Sequence, residues 1–295
     1  MTLASCDSRK TAGENPFFTE WDTPHGVPPF DKILPEHFMP AFERGMSLHE
    51  AEIDAITSNK DEATFENTIL AYDNAGQMLA QTELVFGMLC AAETNDRMQA
   101  LQEQAMPLLA AHRDKIRLDD KLFVRVKEVY DRRAALGLDA EQMRLLQKTY
   151  DSFVRAGALL DAEQKARLKE INGQLSLTAV KFGNNILAEN NNFVLELKSD
   201  ELDGLPAGIR DAAREKAQQM GKGDKWVFTL HKPSLIPLLT YSTRRDLREK
   251  IYKAYLNRCN NGDEYDNKQL INDFIRLRTE KAHLLGYPSY AAYVV

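Results

Sequence analysis

The chain has 295 residues, enough for one large core or two medium ones. Hydrophobic residues make up 43% and charged residues 28%, the balance of a globular protein, which sets aside global disorder and a membrane-embedded chain. Lys and Arg number 38 against 44 Asp and Glu, a net charge of −6, and the basic residues are scattered, so the concentrated positive field that nucleic acid requires is missing.

Residues 1–14 read as a flexible tether or a residual signal region. Within them Leu3-Ala4-Ser5-Cys6 has the form of a bacterial lipobox, with the polar stretch DSRKTAGEN behind it, and this makes Cys6 a lipid-anchor candidate. A secretory signal needs a basic start and ~7–15 apolar residues before the cleavage site, and only five residues precede Cys6. Two localisations stay open: cytoplasmic as written, or a cell-envelope lipoprotein whose start is truncated. The other cysteines, Cys90 and Cys259, complete an odd set with no CxxC spacing, so neither a disulfide framework nor a zinc knuckle is encoded.

From Asn15 to Asp31 the density of proline and aromatic residues predicts extended chain and turns. Pro35 then opens a first helix, with Phe38, Phe42, Met46, His49, Ile53 and Ile56 on its inner stripe. Thr64 is a candidate N-cap for a second helix, read as running through Leu84, Met88 and Leu89 as core. Asn95-Asp96 opens a third, which Pro107 is expected to kink or end. Asp119-Asp120 caps a fourth carrying Phe123, Val126 and Tyr130 and stopping near Gly137.

The stripe Met143, Leu146, Tyr150, Phe153, Gly157, Leu160 marks an amphipathic helix after Leu138, and Asp161 starts another with Leu168, Ile171, Leu175, Ala179, Phe182 and Ile186 inward. The segment KARLKE, Lys165 to Glu170, supplies its solvated side, and the two helices are expected to run antiparallel. At Asn190-Asn191-Asn192 the pattern changes. Residues 193–197 and 226–230 read as short strands, with a helix near 207–220 and the turn GKGD between them. Helices return over about 234–257 and 266–285. The fold class is therefore mainly α: an antiparallel helical domain over 15–190, then a small mixed strand and helix region over 191–295. No stretch is long and apolar enough for a transmembrane helix.

Several blocks together carry a resemblance: Asn15 to Phe42, TFENTI (Thr64 to Ile69), AAETND (Ala91 to Asp96), KFGNNILAENNNFVLEL (Lys181 to Leu197), KWVFTLHKPSLIPLLTYS (Lys225 to Ser242) and LREKIYKAYLNRCNNGDEYDN (Leu247 to Asn267). In this order they resemble the N-terminal part of the thimet oligopeptidase/neurolysin-type zinc metallopeptidases, and among those the bacterial peptidyl-dipeptidases. The resemblance implies a zincin-like, neurolysin-type fold that continues past residue 295, with one zinc ion in the full-length enzyme and short peptides as substrates. It also implies a catalytic half, missing from these residues, that releases dipeptides from peptide C-termini.

A zincin site needs His-Glu-Xaa-Xaa-His, in which two imidazoles one turn apart hold the ion and the Glu serves as general base. The 295 residues contain no such motif; the nearest approach is His49-Glu50, where Ile53 occupies the fifth position. His25, His37, His112, His231 and His283 stand without ligand spacing, there is no Gly-Xaa-Ser-Xaa-Gly elbow, and Gly221-Lys222-Gly223 reads as a turn. The carboxylate pairs Asp119-Asp120, Asp200-Glu201 and Asp263-Glu264 are better explained as helix starts and solvated loops. No catalytic or metal residue is therefore assigned. Tyr287, Tyr290 and Tyr293 share one helical face and are expected to be core awaiting further chain. Two readings remain: the substrate-channel portion of a zinc metallopeptidase, inactive by itself, or a non-enzymatic helical module that binds peptides or a partner chain.

Overall fold

The computed structural model describes residues 15–295, so the tether over 1–14 and the lipobox with Cys6 lie outside the described residues. The chain divides into two compact units, one of residues 15–177 with 278–295 and one of residues 178–277. Among the described residues no helix is long and apolar enough to cross a membrane.

The first unit opens with extended chain broken by short 3-10 turns, as the prolines dictate. Asn15 fixes this strap: its amide donates to the His37 carbonyl at 2.8 Å, and the Trp21 indole N–H donates to the Pro16 carbonyl at 2.8 Å. Helix α1, Phe38–Ser58, follows directly. Phe38 and Phe42 are fully buried and meet Phe17 and Phe86 in an aromatic cluster with ring centroids 4.9–6.3 Å apart.

The second helix differs from the single element expected. Thr64 does cap it, accepting from Asn67 N while Asn67 Oδ1 accepts from Thr64 N, but the first turn is a π-helix, Phe65–Leu70. After α2, Ala71–Asp73, the chain breaks at Gly76, whose φ of 76° is left-handed, and restarts as α3, Gln77–Ala92. This break rotates the buried face to Leu79, Thr82, Val85 and Phe86 and leaves Leu84 and Met88 exposed. Helix α4, Asp96–Arg117, is capped by Asn95 and runs unbroken through Pro107, with Leu109 and His112 buried on either side of the next turn.

Asp119 accepts from Leu122 N to start α5, Asp120–Asp131, and Asp139 and Gln142 form a reciprocal box at the start of α6, Ala140–Ala156. Gly157, with φ 101°, ends α6; a Cβ there would lie 2.8 Å from a Leu168 methyl. Helix α7 is long, Ala162–Asn192, and the division between the units falls within it and within α11, Lys268–Leu284. Lys165 is not on a solvated side: it is buried to 8% exposure with its ammonium on the Asp120 carboxylate at 2.5 Å. The unit closes with α12, Tyr290–Val294.

The second unit contains the sheet. Strands β1, Leu195–Leu197, and β2, Trp226–Phe228, pair antiparallel with Leu195 opposite Phe228 and Leu197 opposite Trp226. Helix α8, Ala207–Gln219, packs on β2, and Leu195, Leu197, Phe228, Leu230, Leu238 and Ile251 form the core with α9, Lys232–Tyr241, and α10, Arg245–Leu256. The described residues are thus mainly helical, with one small two-stranded sheet among them.

Candidate functional site

The sequence names no catalytic group. Of the six histidines, two meet. His49 on α1 and His112 on α4 place Nδ1 and Nε2 3.1 Å apart, with ring centroids at 5.1 Å. Glu50 Oε1 stands 3.4 Å from His112 Nδ1, longer than a good hydrogen bond, because Lys115 holds the other carboxylate oxygen at 2.8 Å.

Burial holds both imidazoles below the ordinary histidine range. His112 lowers His49 further, and the Glu50 carboxylate opposes burial at both rings. Lys115 in turn holds Glu50 below its usual value.

This group does not fit zinc. Two nitrogens are already committed to one another, Glu50 is turned to Lys115, and a structural or catalytic zinc needs at least three protein ligands converging on one point. Among the described residues no set of three or more His, Cys, Asp and Glu side chains is placed to hold a metal ion. The remaining histidines are separate. His37 is buried and accepts from Leu34 N through Nδ1; His231 lies 3.2 Å from Asn191 Oδ1; His25 and His283 are exposed.

The carboxylate pairs have structural duties. Asp119 is a cap, Asp120 holds Lys165, Glu201 accepts from Lys198 N, and Asp263 accepts from Tyr265 N. Gly221 and Gly223 take left-handed φ values in the turn before β2. Cys259 is buried, and burial together with the Glu189 carboxylate pushes its thiol up to about 11, far from a thiolate nucleophile at neutral pH. Cys90 packs half-buried beside the aromatic cluster, its thiol also raised by burial.

Sequence reasoning read Tyr287, Tyr290 and Tyr293 as core awaiting more chain, but missed what surrounds them. The rings of Tyr287 and Tyr290 pack on Tyr293 at 5.3 and 5.8 Å, and cations cover them: Arg155 lies 5.3 Å from the Tyr293 ring, Lys281 5.8 Å from the same ring, and Arg278 5.1 Å from Tyr290. Arg155 also donates to the Tyr293 carbonyl. Lys281 donates to Asn172 Oδ1 at 2.6 Å, and Asn172 donates to Asp114, so α4, α7, α11 and α12 are joined by one polar network. No spacing rule links residue 155 to residue 293.

Two hollows open in the second unit. One of about 290 Å³ is floored by Val227 and Phe228 and flanked by α8 and the start of α9. The other, about 540 Å³, lies along α10 between Leu239, Arg248, Tyr252 and Leu256. The first also carries Lys216, Thr229, His231 and Ser234, with Ser234 Oγ accepting from Thr229 N and His231 beside Asn191, and the second is lined as well by Arg245, Glu249 and Lys253.

Comparison with known proteins supplies what local chemistry does not. The sequence profile described as Peptidase family M3 matches residues 238–295. Dipeptidyl carboxypeptidase of Escherichia coli is 36% identical over 282 residues, which is 95% of this chain and 41% of that protein. Oligopeptidase A of the same organism is 27% identical over 91% of this chain and 40% of its own length, and organellar oligopeptidase A of Arabidopsis thaliana is 27% identical over 98% and 37%. The chain therefore spans about two-fifths of the length of these curated relatives. Identity sustained over 282 residues, on a mainly helical fold with a small sheet among the described residues, makes the chain similar to about two-fifths of a dipeptidyl carboxypeptidase, and its residues 238–295 match the profile of peptidase family M3.

Proposed function

We propose that this chain is the helical, substrate-channel portion of a zinc metallopeptidase that removes dipeptides from peptide C-termini. The observation that carries the reading is the mismatch in coverage: 95% of this chain aligns to a dipeptidyl carboxypeptidase, yet only 41% of that enzyme is accounted for. The zincin motif is not among the 295 residues, so the ion, its activated water and the general base belong to sequence that the relatives have and this chain does not span.

In such an arrangement these helices act by binding. They orient an extended peptide, exclude folded chains and shield the reacting bond from bulk water, contributions that raise selectivity and effective concentration. They do not lower the barrier to amide hydrolysis, which needs an activated water. The boundaries proposed from sequence, a helical domain over 15–190 and a continuing region over 191–295, remain part of this reading.

The test is complementation. Residues 1–295 would be mixed with the remaining three-fifths of a dipeptidyl carboxypeptidase, and release of C-terminal dipeptides from an unstructured peptide followed by mass spectrometry. Activity above that of either piece alone supports the reading. Tight peptide binding by residues 1–295 alone, with no gain on mixing, points instead to a binding module.

A further inference from the structure

We propose that the His49–His112 pair is a proton-operated latch on the seam between α1 and α4, holding the turn into α3 closed while the pair carries at most one proton.

The tautomers follow from the surroundings. His112 Nδ1 faces the Glu50 carboxylate at 3.4 Å and so bears a proton, which leaves Nε2 as the acceptor in the 3.1 Å bond and His49 Nδ1 as its donor. One added proton can be shared in that bond with Glu50 as counter-charge. A second would set two imidazolium rings against each other at 3.1 Å, with His112 only 5% exposed.

The ring most able to leave is the less buried one, His49, and its position ties the pair to α3. A Cβ on Gly76 would lie 2.8 Å from His49 Nδ1, so the imidazole rests directly on the left-handed turn that starts the helix. The same turn is held by Glu52, whose carboxylate accepts from Gly76 N at 2.7 Å. Glu52 also acts on His49, so a charged His49 competes with the Gly76 amide for that carboxylate. Protonation thus both pushes His49 off the turn and draws away the turn's anchor.

The charges acting on the pair come from α1, α3 and α4, while those of α2 and α5 are engaged elsewhere. Helix α1 supplies Glu50 and Glu52; α3 supplies Glu83, paired with Arg113 of α4 at 3.3 Å; α4 supplies Lys115, paired with Glu50. On α2, Asp73 acts on Tyr72, and on α5 Arg125 is bonded to Asn59 and Asp61 carbonyls and to Asn67. Both histidines lie below their unfolded value of 6.5, so the neutral rings stabilise the fold above that pH. This stabilisation is lost as pH falls through the lower folded values.

The experiment is amide hydrogen exchange at residues 76–80, corrected for intrinsic rates, between pH 7.5 and 5.0. The expected result is at least a tenfold loss of protection there, with Val227 in the second unit unchanged as an internal reference. The His49→Gln, His112→Gln double variant should lose the pH dependence at residues 76–80. Flat protection in the parent chain, or an equal fall in the double variant, overturns the latch. Should the double variant not fold, the imidazole NMR titration of the parent decides: two separated steps below 6.5 support the latch, and two ordinary, independent titrations near 6.5 overturn it.

Discussion

Replacing Arg125 by Met tests how the segment between α1 and the π turn is held. The guanidinium is 9% exposed and donates to the Asn59 carbonyl at 3.0 Å, the Asp61 carbonyl at 3.2 Å and Asn67 Oδ1 at 3.1 Å. Bonds from a charged donor are worth ~1.5–3 kcal/mol each, so the three together reach ~4.5–9 kcal/mol as an upper limit. Methionine keeps the bulk while relieving a buried charge whose Nε has no hydrogen-bond partner, and burying an ion costs several kcal/mol. Asn67 Oδ1 also keeps its bonds from Thr64 N and Thr68 Oγ1. The net expected loss is ~2–4 kcal/mol, which at a urea slope of ~2 kcal/mol per molar moves the midpoint down by ~1–2 M. Arg125→Lys, with charge but no fork, should fall between. A midpoint for Arg125→Met within ~0.2 M of the parent, read by circular dichroism, would refute the claim that this arginine organises the segment.

Two glycines should respond oppositely to alanine. At Gly204, φ is +81° and a Cβ would stand 2.2 Å from the Tyr241 carbonyl oxygen, so Gly204→Ala should cost ~3 kcal/mol or more and lower the unfolding midpoint sharply. Gly208 has open space and lies in α8, where alanine should instead stabilise by up to ~1 kcal/mol. Arg155→Ala removes the bond to the Tyr293 carbonyl and the cation over two tyrosine rings; amide exchange at Ala292 and Tyr293 should rise at least tenfold while Leu109 stays protected. Unchanged exchange would mean that α12 is held by other contacts.

Much of the helical frame was legible because its signals are local. Asn95, Asp119, Asp139 with Gln142, and Thr64 with Asn67 act within four residues of where they stand, and each performs the capping its type suggests, whereas Gly157, read as part of a stripe running on to Leu160, takes a left-handed φ and ends α6. The stripe from Met143 to Phe153 was readable because its opposite face is polar. Helix α3 has apolar residues nearly all round, so the pattern gave no phase, and Leu84 and Met88 were taken for core when the break at Gly76 had turned them outward. Pro107 misled for a related reason: its stripe buries Ala105, Leu109 and Ala110, and that packing outweighs one missing backbone bond.

What sequence could not show is long-range. His49 meets His112 across 63 positions, Lys165 meets Asp120 across 45, and Arg155 meets Tyr293 across 138. None of these pairs has a spacing that a local rule recognises. The resemblance to the dipeptidyl carboxypeptidases, by contrast, was visible in long ordered blocks, because similarity accumulates over hundreds of positions where a four-residue motif cannot. The motif at Leu3 to Cys6 remains an expectation of the latter kind, tested by whether the mature protein carries lipid on Cys6.

The measurement that tests the account most directly is zinc content paired with peptidase activity of purified residues 1–295. The chain alone, equilibrated with zinc and then dialysed against a mild chelator, should retain far less than one zinc per chain and release no C-terminal dipeptides from an unstructured peptide. Retention of about one zinc per chain together with dipeptide release by these residues alone would contradict it, placing the catalytic centre within this chain.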